Sequence, residues 1–170
     1  MRLFVAVQPP DDVLDRLAGL RRPERRGVRW TSRAQWHVTL AFLGEVADPG
    51  PVAAALDAAP LAPATADLGP AVAPLGRRVV CVPVAGLDDV AAAVRRALPA
   101  GDPDRLGFRG HLTLARVSGG RLRDLVGEPV AARFPVGDVR LVRSHPGGRG
   151  GPRYEDLHIR PLTGESAEGP

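Results

Sequence analysis

The sequence predicts an α+β fold of two pseudo-symmetric lobes, each an antiparallel-rich sheet with outer helices, flanking a central cleft. The first observation is a repeat: HVTL at residues 37–40 returns as HLTL at residues 111–114. The second is that each repeat opens a predicted strand that is accompanied by further strands and one or two helices. The third is length, because 170 residues favour one domain whose halves are each too small to be a comfortable independent domain. We expect one bilobal domain over residues 1–162 and a disordered tail over residues 163–170.

The elements of the first half follow from local pattern. A compact apolar run at residues 2–7 ends in two prolines, and Asp11 begins a helix with apolar residues at helical spacing. Acids in the first turn and arginines in the last favour a helix over 87–98, whereas Pro and Gly make 64–73 a weak, edge-like strand. The first half is predicted to contain strands at 2–7, 27–31, 36–44, 64–73 and 77–84, and helices from residue 11, at 49–59 and at 87–98.

The second half repeats this order in a shorter form. Residues 110–117 form its motif strand, and a short helix follows at 121–126. Residues 133–144 and 154–162 alternate in a way that is typical of strands. Between them, residues 145–153 form a basic loop with four glycines, which we expect to be mobile.

The charge of the chain favours an anionic partner such as nucleic acid. The net charge is +4, and all 23 basic residues are arginine, whose planar guanidinium group suits phosphate. The one cysteine, Cys81, lies in an apolar run and is predicted to be a core residue without a disulfide partner. Because the sequence also lacks a membrane-spanning apolar run, we expect a cytoplasmic protein with no membrane partner.

The repeated tetrapeptides carry the predicted chemistry. Side chains alternate along a strand, so His37 and Thr39 share one face, as do His111 and Thr113. The same alternation turns Phe42 away from His37. Two imidazoles and two hydroxyls that converge on one groove suit acid–base chemistry on a phosphoryl group. No Cys, Asp or Glu accompanies these histidines at ligand spacing, so we expect neither a metal nor a cofactor.

Paired HxTx motifs make the chain similar to the 2H phosphoesterases. Its fuller strings resemble the bacterial and archaeal RNA 2′,3′-cyclic phosphodiesterases, once called 2′-5′ RNA ligases. Two departures are Gly110, where the family commonly has Pro, and the glycine-rich stretch 147–151. The matching pieces are MRLFVAV at the start, WHVTLAFLGEV (36–46), GRRVVCV (76–82), HLTLAR (111–116), LVRS (141–144) and Tyr154.

The resemblance implies the two-lobed 2H fold and a metal-free hydrolysis of RNA 2′,3′-cyclic phosphate ends to 2′-phosphates. In that reaction His37 is the general acid for the departing 3′ oxygen, and His111 is the base that activates water. Thr39 and Thr113 bind the phosphate. The expected partner is an RNA with a cyclic phosphate end, or a cyclic nucleotide, and the expected state is a monomer.

Two further residues are candidates for substrate binding. The resemblance places the ring of Phe42 near the terminal base, with core packing as the other interpretation. Arg116 closes the second motif, and it is either a phosphate or RNA contact or a solvated charge at a strand end. An alternative function is RNA or nucleotide binding by the same fold with slow catalysis, and another is a reversible 2′-5′ RNA ligase.

Overall fold

The computed structural model describes residues 1–98, 107–119 and 122–162, and the predicted tail lies outside them. Within these ranges the chain forms a largely antiparallel sheet, three helices and two 3₁₀ turns. The helices are α1 (Asp11–Ala18), α2 (Gly50–Ala58) and α3 (Asp88–Ala97), and the 3₁₀ turns are Arg33–Gln35 and Leu122–Leu125. The strands are β1 (Arg2–Val7), β2 (Val28–Trp30), β3 (Val38–Glu45), β4 (Thr65–Leu68), β5 (Ala73–Leu75), β6 (Val79–Ala85), β7 (His111–Val117), β8 (Ala132–Pro135), β9 (Asp138–His145) and β10 (Arg153–Pro161).

The strands form two lobes that meet at the repeated motifs. Their order is β10-β9-β1-β3-β7-β6-β4-β8, with β2 paired to β7 and β5 paired to β6. One lobe is built on β1 and β3, and the other on β6 and β7. They join where Val38 of β3 pairs with Leu112 of β7. The predicted fold class of two antiparallel lobes flanking a cleft is confirmed.

The two faces of the sheet differ in what covers them. On β1, Leu3, Val5 and Val7 point into the main core, which continues through both lobes. The opposite face of β1 carries Phe4 and Ala6, which form a separate small apolar cluster on the cleft side. Helix α3 lies against β3, and α2 lies against α3 and β10. Among the described residues no helix is long and apolar enough to cross a membrane.

The predicted strand 64–73 is wrong in its length and its place. It divides into β4 and β5, because Gly69 has a positive φ that does not fit an extended strand. β4 is not an edge strand, since it pairs with β6 on one side and β8 on the other. Pro70 lies after the end of β4, so β4 keeps its backbone donors for the ladder.

The predicted strand 133–144 is two strands at opposite ends of the sheet. β8 pairs with β4, whereas β9 pairs with β1 and β10. The chain crosses between the lobes at Val136 and Gly137, directly after Pro135. The short predicted helix at 121–126 is a 3₁₀ turn at Leu122–Leu125. The other predicted helices and strands are confirmed within two or three residues at their ends.

Candidate functional site

The two HxT motifs meet at the junction of the lobes. Val38 and Leu112 are directly paired in an antiparallel ladder. In such a ladder the residues one step away on each strand lie opposite one another. The register therefore sets His37 beside Thr113 and Thr39 beside His111, on the face that carries the cleft. By this register, each motif histidine is the cross-strand neighbour of the other motif's threonine.

Both motif histidines are held in the same tautomer by the same kind of contact. Nδ1 of His37 lies 2.8 Å from the carbonyl oxygen of Gln35, and Nδ1 of His111 lies 2.7 Å from that of Arg109. A carbonyl oxygen can only accept, so Nδ1 carries the hydrogen and donates it. The Nε2 atom of each ring then holds a lone pair when the ring is neutral and a proton when it is charged. No described side chain or backbone group bonds either Nε2.

A β-bulge follows the motif threonine of β3. Thr39 and Ala41 pair with consecutive residues of β1, so Leu40 is an extra residue on its strand. Leu40 and Ala41 both enter the core, with 0% and 2% of their surface exposed. Phe42 returns to the cleft face and is 46% exposed. The prediction that Phe42 faces away from His37 is therefore wrong, because the bulge reverses the faces of the residues that follow Thr39.

The same irregularity follows the motif threonine of β7. Thr113 and Ala115 pair with consecutive residues of β6, so Leu114 is the extra residue. Ala115 lies in the core. Simple alternation would have placed it on the same face as His111. Arg116 emerges beside His111 and Thr113 on the cleft side, where it is exposed. Phe42 and Arg116 thus occupy equivalent positions after the two motifs.

The carbonyl group that each bulge exposes accepts hydrogen bonds from a residue distant in the sequence. The carbonyl oxygen of Leu40 accepts a hydrogen bond of 3.0 Å from Nε of Arg95. The carbonyl oxygen of Leu114 accepts a 2.8 Å hydrogen bond from the Thr31 backbone N–H, and the Thr31 hydroxyl lies 2.8 Å from it. The indole N–H of Trp36 donates to that hydroxyl. Buried bulge carbonyls with such partners cost little, which explains how both irregularities persist.

Aromatic rings enclose His37. The ring of Phe4 stacks on the imidazole with centroids 4.8 Å apart, and Tyr154 meets it edge-on at 5.1 Å. Phe42 continues the aromatic surface, 6.3 Å from Phe4. Tyr154, one of the matching pieces of the resemblance, packs over His37. Phe4 was missed by the sequence reasoning, although alternation within β1 puts it on the same face as Arg2 and Ala6.

Burial lowers the pKa of His37 to about 4, from an ordinary value of 6.5. The positive charges of His111 and Arg116 act in the same direction, and the Gln35 carbonyl acts against it. The charge of His111 lowers the pKa of His37, which indicates that the two rings lie close together. The imidazole of His37 is therefore neutral at pH 7 in the unliganded protein. An anion between the two rings would raise the pKa of His37 again.

A cleft of about 300 Å³ opens beside His111 and has largely apolar walls. Its lining includes Thr39, Phe42, Leu75, Phe108 and His111, together with Arg95 and Arg109. The two phenylalanine rings suit contact with a heterocyclic base.

A larger cleft of about 760 Å³, which Phe42 also lines, is strongly basic. The guanidinium groups of Arg2, Arg29, Arg116 and Arg143 line it. Glu45 is the one acid among its described lining residues, and it is ion-paired to the N-terminal amine at 3.2 Å. Positive charge in this cleft exceeds the local negative charge, which favours an anionic ligand.

Gln35 was missed by the sequence reasoning, although Ser32–Gln35 has the S-x-x-Q signature of a capping box. Its backbone carbonyl holds His37, and its side-chain oxygen accepts from the Ser32 N–H at 3.0 Å. Its side-chain nitrogen donates to the carbonyl oxygens of Gly150 and Pro152. This buried amide therefore ties the glycine-rich loop to the residue that orients His37.

Of the other two histidines, His145 lines the 760 Å³ cleft, whereas His158 lines neither cleft. His145 and His158 form surface ion-pair contacts of 2.7 and 2.8 Å with Glu155 and Asp57. Cys81 is buried, which raises the pKa of its thiol to about 11 and confirms it as a core residue. In residues 1–98, 107–119 and 122–162, no three side chains of His, Cys, Asp or Glu are grouped so as to hold a metal ion.

Gly110, the departure from the family pattern before the second motif, has a steric cause. A β-carbon at this position would collide with the carbonyl oxygen of Val84. The Val84 backbone N–H donates to the Gly110 carbonyl at 2.9 Å, so β6 passes very close to this point. Glycine is therefore required for the local approach of the two chains.

Residues 7–68 match the family model of the LigT like Phosphoesterase family. This segment contains the first HxT motif and its bulge. The second motif lies beyond the matched residues. In the structure its strand pairs with the strand of the first motif. None of the curated protein sequences matches the chain.

The fold of the chain is similar to that of several solved structures. The Thermus thermophilus protein TT0787 is 28% identical, with a TM-score of 0.74 over 97% of this chain and 100% of that one. E. coli LigT complexed with 3′-AMP is 27% identical, with a TM-score of 0.78 over 96% and 98%. E. coli LigT complexed with NADP+ is 26% identical, with a TM-score of 0.77 over 96% and 98%.

Proposed function

The chain is LigT-like in its fold and, over residues 7–68, in its sequence, and from this premise we propose that it hydrolyses RNA 2′,3′-cyclic phosphate ends to 2′-phosphates. The observation that carries the proposal is the meeting of the two HxT strands, whose imidazoles are fixed through Nδ1 and lie close enough for the charge of His111 to act on His37. One Nε2 can take a proton while the other gives one, as hydrolysis of a phosphodiester requires.

In the proposed reaction, Nε2 of neutral His111 removes a proton from water as the water oxygen attacks phosphorus. The bond between phosphorus and the 3′ oxygen breaks, and Nε2–H of charged His37 protonates the departing oxygen. The products are a 2′-phosphate and a 3′-hydroxyl. One proton has moved from His37 to His111, and exchange with solvent restores both rings.

The acid role of His37 requires the substrate's own charge. In the unliganded protein His37 is neutral at pH 7, because burial lowers its pKa to about 4. A cyclic phosphate carries one negative charge, and its arrival beside the imidazole favours the charged form. The protonated acid therefore forms together with the complex, and the aromatic walls keep bulk water away from it.

The remaining residues of the proposed site bind rather than transfer protons. The hydroxyls of Thr39 and Thr113 hold the non-bridging phosphoryl oxygens. Arg116 contributes a nearby positive charge. Phe42 packs against the terminal base in the 300 Å³ cleft, which Phe108 also lines. No metal or cofactor takes part in the proposed mechanism.

We expect the protein to convert an oligonucleotide with a 2′,3′-cyclic phosphate end to one with a 2′-phosphate, at the same rate with and without EDTA. The product is identified by its resistance to an enzyme that removes only 3′-phosphates. A 3′-phosphate product would overturn the assigned direction of cleavage. Binding of the oligonucleotide without turnover would instead favour the RNA-binding alternative.

Replacing Thr39 or Thr113 with alanine is expected to lower kcat/KM by about 10-fold to 30-fold, since each loses one hydrogen bond to a charged oxygen, worth about 1.5–2 kcal/mol. The loss should fall on KM as well as kcat, because a hydroxyl holds phosphate before and during the reaction. Serine at either position keeps the hydroxyl and is the matched control. If the serine variant lost as much kcat/KM as the alanine variant, the effect would come from the methyl group and not from the hydroxyl.

A further inference from the structure

Two arginines face each other beside the candidate site without an evident structural reason. Arg29 of β2 is the direct cross-strand partner of Arg116 of β7. Directly paired residues point to the same side of a sheet, and like charges in such a pair repel and destabilise it. The pair therefore costs the folded protein stability unless something negative lies between the two groups.

No described carboxylate supplies that negative charge. Neither Arg29 nor Arg116 forms an ion pair with any acid in the described parts of the chain. The Nη1 atom of Arg29 is buried and has no hydrogen-bond partner there. It lies against the backbone of Gly151, where a β-carbon would collide with it. A buried, unsatisfied guanidinium N–H is costly, and an acceptor from a ligand would satisfy it.

Both arginines line the 760 Å³ basic cleft, and both also line a second cleft of about 460 Å³ that contains Arg78. The pair therefore lies where a chain of phosphates leaving the catalytic centre would pass. Arg116 is the nearer of the two to His37, whose pKa its charge lowers. Arg29 lies one strand further out.

We propose that Arg29 and Arg116 bind the phosphodiester one nucleotide upstream of the cyclic end, which makes an oligonucleotide the preferred substrate over a cyclic mononucleotide. Two guanidinium forks on one side of a sheet match the oxygens of a bridging phosphodiester. Phe42 lines both the 300 Å³ and the 760 Å³ cleft, so a nucleotide with its terminal base in the smaller cleft can extend past Phe42 and place its upstream phosphate in the basic cleft. This inference rests on the proposed function for the position of the cyclic end.

The test compares two substrates with the same cyclic end. One is adenosine 2′,3′-cyclic phosphate with a free 5′-hydroxyl, and the other is a dinucleotide that ends in the same nucleotide. The wild-type protein is expected to give a kcat/KM about tenfold or more higher for the dinucleotide, the worth of a charge-assisted hydrogen bond. In Arg29→Gln this ratio should fall several-fold, since only Arg116 remains at the upstream phosphate. Arg29→Lys should keep more of the ratio than Arg29→Gln, because the charge remains and only the fork is lost.

Arg96→Gln is the matched control, since Arg96 is exposed on α3. It should leave the ratio unchanged. Because Arg29 and Arg116 repel each other without a ligand, Arg29→Gln should also melt at the wild-type temperature or above it. A ratio unchanged in Arg29→Gln would overturn the inference. Equal loss on both substrates would overturn it too, since it would place Arg29 at the reacting phosphate.

A second measurement separates this inference from the proposed function. Binding of a fluorescent RNA oligonucleotide with an ordinary 3′-hydroxyl needs no turnover. The slope of its log affinity against log salt should fall by about 0.7 in Arg29→Gln and stay constant in Arg96→Gln, as expected for one lost phosphate contact on a single strand. If neither cyclic substrate is hydrolysed but this slope changes, the proposed function fails and the phosphate site stands. If hydrolysis occurs and the slope is unchanged, the proposed function stands and the phosphate site fails.

Discussion

Replacing His37 or His111 with alanine is expected to lower kcat for the cyclic-ended oligonucleotide by about 10²–10⁴-fold, the usual worth of a positioned general acid or base. Each ring is fixed by a backbone carbonyl on Nδ1, so its Nε2 is already aimed when substrate arrives. The measurement is single-turnover cleavage, which reports the chemical step without product release. KM should change much less than kcat, because the imidazoles mainly serve the transition state.

The double variant should lose much less than the product of the two single losses, because residues that act as one unit are not additive. His158→Ala is the matched control, since its side chain makes a surface ion-pair contact with Asp57 and lines neither cleft. His37 also packs between Phe4 and Tyr154, so His37→Gln is needed beside His37→Ala to keep most of the volume. A His158→Ala loss as large as that of His111→Ala, with folding intact, would end the assignment of the pair.

The stability of the protein is expected to fall by about 3 kcal/mol between pH 7.5 and pH 4 through His37 alone. In the unfolded chain His37 titrates near 6.5, whereas burial lowers its pKa to about 4 in the folded protein. Between these values the unfolded state binds the proton more readily. The stabilisation is therefore complete above pH 6.5, falls as pH drops, and is lost below about pH 4.

Urea unfolding at a series of pH values measures this effect. The glutamine of His37→Gln cannot titrate, and its amide can still donate to the Gln35 carbonyl. The fall in stability of this variant between pH 7.5 and pH 4 should therefore be smaller than that of the wild type by about 3 kcal/mol. His158→Gln is the control and should keep the wild-type dependence. If His37→Gln lost stability with acid as steeply as the wild type, another group would be responsible, and His37 would not be neutral in the folded protein.

The two motif histidines of the proposed site could be recognised in the sequence because their signal is local and repeated. The tetrapeptides HVTL and HLTL carry both the strand pattern and the polar face, and no knowledge of the partner strand is needed to recognise them. The division into two lobes follows from the same repeat. The core assignment of Cys81 likewise follows from its apolar neighbours.

The side-chain directions after each motif could not be predicted in this way. Leu40 and Ala41 are both apolar and small enough to be buried, so the sequence contains no mark of the bulge between Thr39 and Phe42. The bulge exists because of distant groups, the guanidinium of Arg95 for one copy and the amide and hydroxyl of Thr31 for the other. An alternation rule cannot include partners that are 55 and 83 residues away.

Arg29 and Phe4 were missed for a related reason. Each gains its position from strand pairing, Arg29 opposite Arg116 and Phe4 opposite Phe42, and pairing partners are not visible in a single strand. The break in the predicted strand 133–144 was visible in principle, since Pro135 and Gly137 interrupt it. It was overlooked because apolar alternation continues across the break, although the chain crosses there from one lobe to the other.

The bulge after Thr39 separates two properties that a regular strand joins, the number of its residues and the face that each one takes. Leu40 is the extra residue, so its deletion would leave Ala41 opposite Val5 in the core and Phe42 opposite Phe4 on the cleft face. Such a deletion would lose the buried Leu40 side chain and the carbonyl group that Arg95 binds. A regular strand that kept all six residues from His37 to Phe42 would instead turn Ala41 to the cleft and Phe42 to the core. A strand graft that is intended to transplant the motif must therefore bring the group that holds the bulge, because the six residues alone would turn Phe42 away from His37.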